Sequence, residues 1–85
     1  MKESILKEKA MDFAIRIVNL YHFLNDKKQE KVMAKQILRS GTSIGANISE
    51  GIYAESTADF IHKHAIAQKE CAETLYWLEI LKRTQ

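Results

Sequence analysis

"RSGTSIGANISEG", residues 39–51, decides how this chain is read. Apolar residues recur through it at helical spacing, yet Gly41 and Gly45 stand in its middle. Each costs a helix about 1 kcal/mol relative to alanine. The stretch is therefore either a loop built to hold a ligand or a helix that gives up local stability for close packing. The surrounding register favours the helix. Over residues 27–50, Met33, Ile37, Ile44 and Ile48 fall along one side, with Ala34, Leu38, Gly41, Gly45 and Ser49 directly beside them. Both glycines lie inside the merged face, so Gly41, Gly45 and Ser49 predict a neighbouring backbone that comes very close. Gly51 suits the left-handed position that ends a helix.

Working outward, residues 4–25 read as a first helix. Its stripe is Leu6, Phe13, Ile17, Leu20 and Leu24, widened by Ala10, Ala14, Val18 and Tyr21. It ends near "NDKK", where Asn25 or Asp26 can cap the next helix and Gln29 stands three after Asp26, as in a capping box. Ser56 and Asp59 form a second such signal, opening a third helix over 56–82. Phe60, Ile61, Ala67, Cys71, Ala72, Leu75 and Leu78 form its expected buried face, with His64 and Gln68 projecting within it. Ile66, Trp77 and Ile80 lie on the opposite side. A helix apolar on two sides needs two partners, so Ile66, Trp77 and Ile80 predict an interface with a fourth helix or a second subunit.

The totals agree with an all-α, antiparallel up-down bundle of one domain, residues 1–85. The chain has no proline and only three glycines, which leaves little material for a many-turned sheet. The single Cys71 excludes an intramolecular disulfide and any cysteine-based zinc site, and reads as a small reduced core residue. No apolar run approaches the ~20 residues of a membrane span, and the charged N-terminus does not resemble a signal peptide, so a cytoplasmic location is expected.

No catalytic constellation is visible, and none of the patterns implies a cofactor, a metal or a small-molecule substrate. "GTSIG" has neither the lysine after its second glycine nor the preceding strand of a phosphate-binding loop. Asp59 and His62 share one helix face, but a carboxylate-bridged metal bundle needs a second such pair. Cys71 sits on an apolar stripe, where burial would raise its pKa rather than activate it.

One charge pattern stands out. Between Lys27 and Arg39 there are five basic residues and one acid, Glu30, in a chain whose net charge is only +2. Lys28, Lys31, Lys35 and Arg39 occupy a narrow arc away from the glycine face, and lysines at a helix N-terminus oppose its dipole. In one monomer such a stripe reads as a solvated face. Repeated by a symmetric oligomer, it would build a basic ring or groove suited to phosphate backbones, which makes these four the expected nucleic-acid-binding residues. Aromatic stacking residues are not interleaved with the lysines, so sequence-specific single-strand readout is not indicated.

The chain resembles the small four-helix bundle proteins encoded within intervening sequences of bacterial 23S ribosomal RNA genes. The resemblance rests on "LRSGTSIGANISEG" at 38–51 and "ESTADFIHKHAIAQKECAETLYWLEIL" at 55–81, through Arg39, Ser43, Ile44, Asn47, Ile48, Glu50, Gly51, Ser56, Asp59, Phe60, Ala67 and Glu73. It implies a non-catalytic bundle that assembles into a homo-oligomer, typically a pentamer. Relatives include accessory proteins of diversity-generating retroelements, which implies an RNA or reverse transcriptase-like partner. The family's pattern continues into a fourth helix beyond Gln85, so the expectation is a bundle with that helix absent or truncated, either because the chain is a shortened form or because contacts between subunits replace it. The resulting expectation is a self-assembling scaffold associated with RNA or a nucleic-acid enzyme. The alternative is a protein–protein adaptor whose stripe meets an acidic partner.

Overall fold

The computed structural model describes residues 2–84. They form three helices, α1 (Lys2–His22), α2 (Lys31–Ile52) and α3 (Thr57–Thr84), and no strand occurs among them. A π-helical turn, Phe23–Lys27, continues α1 into the first connection. Gly41 lies against Ile17 and Gly45 against Ala10, so α1 and α2 run antiparallel. Ser40 meets Thr74 and Gly51 meets His64, so α2 and α3 do as well. The central helix is α2, which packs along both neighbours, with no close backbone approach between α1 and α3 among the described residues.

The first junction departs from the expected cap. The wider π turn carries the chain past Asp26, and α2 begins four residues later than the sequence suggested. Glu30 is its cap, its carboxylate accepting the Met33 N–H at 3.1 Å. Gln29, between the two elements, adopts φ 58°, a left-handed conformation that favours glycine. Its side chain is exposed, so Gln29→Gly is expected to raise stability by about 0.5–1 kcal/mol, read as a higher urea midpoint at unchanged slope.

The second junction follows its signal closely. Ser56 Oγ accepts the Asp59 N–H at 3.1 Å, and the Asp59 carboxylate accepts the Glu55 N–H at 3.2 Å. The return bond reaches one residue upstream of the capping serine. Gly51, however, does not end α2 in a left-handed turn. It lies inside the helix, which runs to Ile52, and no glycine has positive φ. Its role is steric. A Cβ there would sit 3.1 Å from His64 Cε1, so the absence of a side chain lets the start of α3 approach.

Two apolar clusters form the core. Ile17, Leu24, Ala34, Ile37 and Leu81 make the larger, with Leu20, Tyr21, Met33, Leu38, Trp77 and Leu78 packed against it. Ala10, Ile48 and Ala67 make the smaller, joined by Ile44. Ile37 is fully buried, and burial of such a side chain contributes about 1.5–3 kcal/mol. Buried polar groups in the α2–α3 seam are satisfied. The Thr74 hydroxyl donates to the Glu70 carbonyl at 2.8 Å and shares a hydrogen bond of 2.9 Å with the Ser40 hydroxyl.

The buried side of α3 is turned from the sequence reading, to an arc between the two apolar sides. Its buried line is Ala67, Thr74 and Leu81, flanked by half-buried Ile66, Glu70, Glu73, Trp77, Leu78 and Ile80. Of the seven residues expected inside, Phe60, Ile61, Cys71, Ala72 and Leu75 are exposed. Ala67 is buried and Leu78 half-buried, as expected, so helical periodicity found one edge of the buried arc; its centre, at Thr74, was on neither apolar side.

Candidate nucleic-acid interface

The basic residues of the first junction come together with those at the end of α3. Leu24 of the π turn, Ala34 of α2 and Leu81 of α3 share one cluster, which fixes the α1–α2 tip and the α3 C-terminus at the same pole. Lys27, Lys28, Lys31 and Lys35 are all exposed there, as are Lys82 and Arg83. Arg83 pairs with Glu79 on its own helix at 2.8 Å. Among the described residues, Lys27, Lys28, Lys31, Lys35 and Lys82 have no carboxylate within ion-pair distance. Lys82 and Arg83 complement the negative end of α3, whereas Lys31 opposes the positive end of α2. Helix stability does not account for Lys31.

Arg39 does not share this freedom. Its guanidinium pairs with Glu73 and, at 3.3 Å, with Glu70, both on α3. Trp77 Nε1 donates to the same Glu73 carboxylate at 3.0 Å. Arg39 is thus tied into the α2–α3 seam, and the stripe read from sequence reduces to Lys28, Lys31 and Lys35. Lys63 and Glu50, 3.1 Å apart, bridge the same two helices at their other end.

The glycine face meets α1 differently at its two glycines, the Ile17 side chain at Gly41 and the Ala10 backbone at Gly45. A Cβ built on Gly41 would lie 2.8 Å from both Cγ atoms of Ile17, nearer than packing allows. One on Gly45 would lie 3.4 Å from the Ala10 carbonyl oxygen, an ordinary contact. Ser49 lines a groove of about 160 Å³ beside Gly45, walled on the α1 side by Lys7, Ala10, Met11 and Ala14.

The expected interface residues Ile66, Trp77 and Ile80 are only half exposed, and Trp77 packs on the larger core cluster. The apolar surface left open on α3 is instead that of Ile61, Leu75 and Tyr76. On α1, Ile5, Met11 and Ile15 are likewise more than half exposed. Cys71 is exposed too, not in the core. Asp59 serves as the α3 cap, while His62 is exposed.

Sequence reasoning missed Phe23. It lies next to the inward Leu24 and was not assigned to any face. In the structure its ring is 48% exposed, and Lys28 Nζ stands 5.8 Å from its centroid. An aromatic residue does therefore accompany the lysines in space. The signal was its position one helical step off the Leu20–Leu24 stripe.

No helix of the described residues is long and apolar enough to cross a membrane. No curated protein matches the chain. Among solved structures it is similar to a protein of unknown function from the S23 ribosomal protein family of Bacteroides thetaiotaomicron VPI-5482. The two are 61% identical with a TM-score of 0.97, and the match covers 100% of this chain and 76% of that one. The pattern of the 23S rRNA-intervening sequence proteins matches residues 2–85. A match over that span, on a fold of three antiparallel helices, shows that the chain belongs to the 23S rRNA-intervening sequence protein family.

Proposed function

We propose that this protein is a non-enzymatic, self-assembling helical scaffold that associates with RNA through the lysine-rich pole. The observation that carries the reading is the set of exposed, unpaired lysines, Lys28, Lys31 and Lys35, with Lys27 and Lys82 at the same end. Exposed ammonium groups that contact a phosphate backbone release its counterions, a sequence-independent source of affinity. The family's description, which refers to 23S rRNA intervening sequences, supports RNA as the polyanion. Assembly is supported by the large apolar side chains of Ile61, Leu75 and Tyr76, which α3 leaves more than half exposed and which an interface between copies would bury. Five subunits is the number the family resemblance implies, and a reverse transcriptase-like protein is the protein partner it suggests.

Charge reversal tests the RNA interaction. Lys28→Glu, Lys31→Glu and Lys35→Glu combined are expected to weaken binding of a structured RNA by at least about 10-fold at low salt. The slope of log affinity against log salt should flatten by about 0.7–0.9 for each phosphate that the variant no longer neutralises. Fluorescence anisotropy between about 50 and 200 mM salt reads both quantities. A parent protein that binds no RNA at low salt, or a triple variant with the parent's slope, overturns the reading. The lysines then serve the adaptor role, facing an acidic protein.

A further inference from the structure

We infer that the tip between α1 and α2 is a stacking site for an unpaired nucleotide, with the Phe23 ring as platform and Lys28 beside it for the phosphate. This deepens the RNA reading and rests on it. The ring belongs to neither core cluster and stands half in water. Its neighbour Leu24 does the packing, so the fold gains little from an aromatic ring at position 23. The π turn holds ring and cation together, because the Lys28 backbone N–H donates to the Phe23 carbonyl at 3.2 Å. At 5.8 Å from the centroid, the Lys28 ammonium is at the outer limit of cation–π attraction and free to turn toward a phosphate.

The charges nearby fit the same occupant. Lys27 ends the π turn and Lys31 opens α2, so cations flank the ring on the following backbone. Asp26 is the one carboxylate of the π turn, and its partners are not these lysines. It accepts from the Asn25 amide at 2.9 Å and faces His22 Nδ1 at 3.8 Å. A purely anionic partner would need only the lysines. An apolar partner would have to strip water from the Lys28 ammonium beside the ring without pairing it. A nucleotide offers a π face and a phosphate within one small unit, and base–aromatic stacking accepts any base. The expected ligand is therefore unpaired RNA, such as a loop or single strand, in preference to a duplex whose bases are already stacked.

The test compares an unstructured uridine-rich oligonucleotide with an RNA duplex of equal length, using the full chain and its Phe23→Leu and Phe23→Trp variants. Phe23→Leu is expected to lose about 5- to 150-fold in affinity for the single strand, with little change for the duplex. The salt slope should stay at the parent's value, since stacking displaces no counterion. Phe23→Trp should bind at least as tightly as the parent. Equal binding of the single strand by parent and Phe23→Leu overturns the stacking site while leaving RNA association standing. An altered solution mass in Phe23→Leu, with RNA affinity kept, overturns it in favour of a contact between copies. A parent that binds neither RNA overturns both readings together.

Discussion

Gly41→Leu is expected to cost about 3 kcal/mol or more and to lower the melting temperature by about 12–24 °C. The first carbon of any side chain at position 41 already falls 2.8 Å from both Cγ atoms of Ile17. Those carbons sit at a branch point, and Ile17 is itself buried in the larger core cluster, so it cannot swing aside. The helices would have to separate, opening the packing of Leu24, Ala34 and Ile37 in the same cluster. A chain of 85 residues holds about 4–13 kcal/mol of total stability, so that loss is a large share. Gly45→Ala makes the control. Its Cβ meets Ala10 at 3.4–3.5 Å, an ordinary separation, and alanine recovers up to about 1 kcal/mol of helix propensity. It should melt at or above the parent temperature. Thermal unfolding followed by circular dichroism reads both. If the two glycines tolerate side chains alike, the α1–α2 distance at position 41 is not set by Ile17 and the packing argument fails.

The contrast between these glycines marks the limit of what the sequence discloses. Their place inside an apolar face predicts close packing. Only the register against α1 reveals that Gly41 meets a branched isoleucine and Gly45 an alanine. Gly51 misled for a related reason. A glycine after a helical run most often terminates it, and nothing local shows that His64, thirteen residues on, needs the space. At the first junction, Asp26 and Gln29 had the spacing of a capping box. Glutamate is not a favoured cap, so Glu30 gave no signal, and a π turn has no sequence signature of its own.

The binding pole was partly legible. Lys28, Lys31 and Lys35 stood out by charge and by opposing the α2 dipole. Arg39 shares their arc, but Glu70 and Glu73 lie more than thirty residues away in sequence. Spacing along one helix cannot show a partner on another. Thr74 was overlooked because a hydroxyl reads as surface, whereas here the Ser40 hydroxyl and the Glu70 carbonyl satisfy it inside. Long-range pairing decided each of these positions.

Ile61→Glu with Leu75→Glu, made together, should convert an assembled protein into a monomer that keeps its helical fold and melts below the assembled parent, having lost the stabilisation of association. Both residues lie on the open face of α3, 61% and 62% exposed. A charge at either meets water in the monomer, and surface substitutions of this kind change stability by only about 0.5 kcal/mol. At an interface between copies the balance reverses. Each Ile or Leu contributes about 1.5–3 kcal/mol when buried, and an unpaired buried carboxylate costs several more. The pair stands fourteen positions apart, about 21 Å along the helix, so together they break a long interface. Sedimentation or light scattering reads the mass, and circular dichroism the fold. A parent that is already monomeric, or a double variant that keeps the parent's mass, removes self-assembly from the proposed function. A lower mass with the helical circular dichroism spectrum retained places the subunit interface on Ile61 and Leu75, where α3 leaves apolar side chains uncovered.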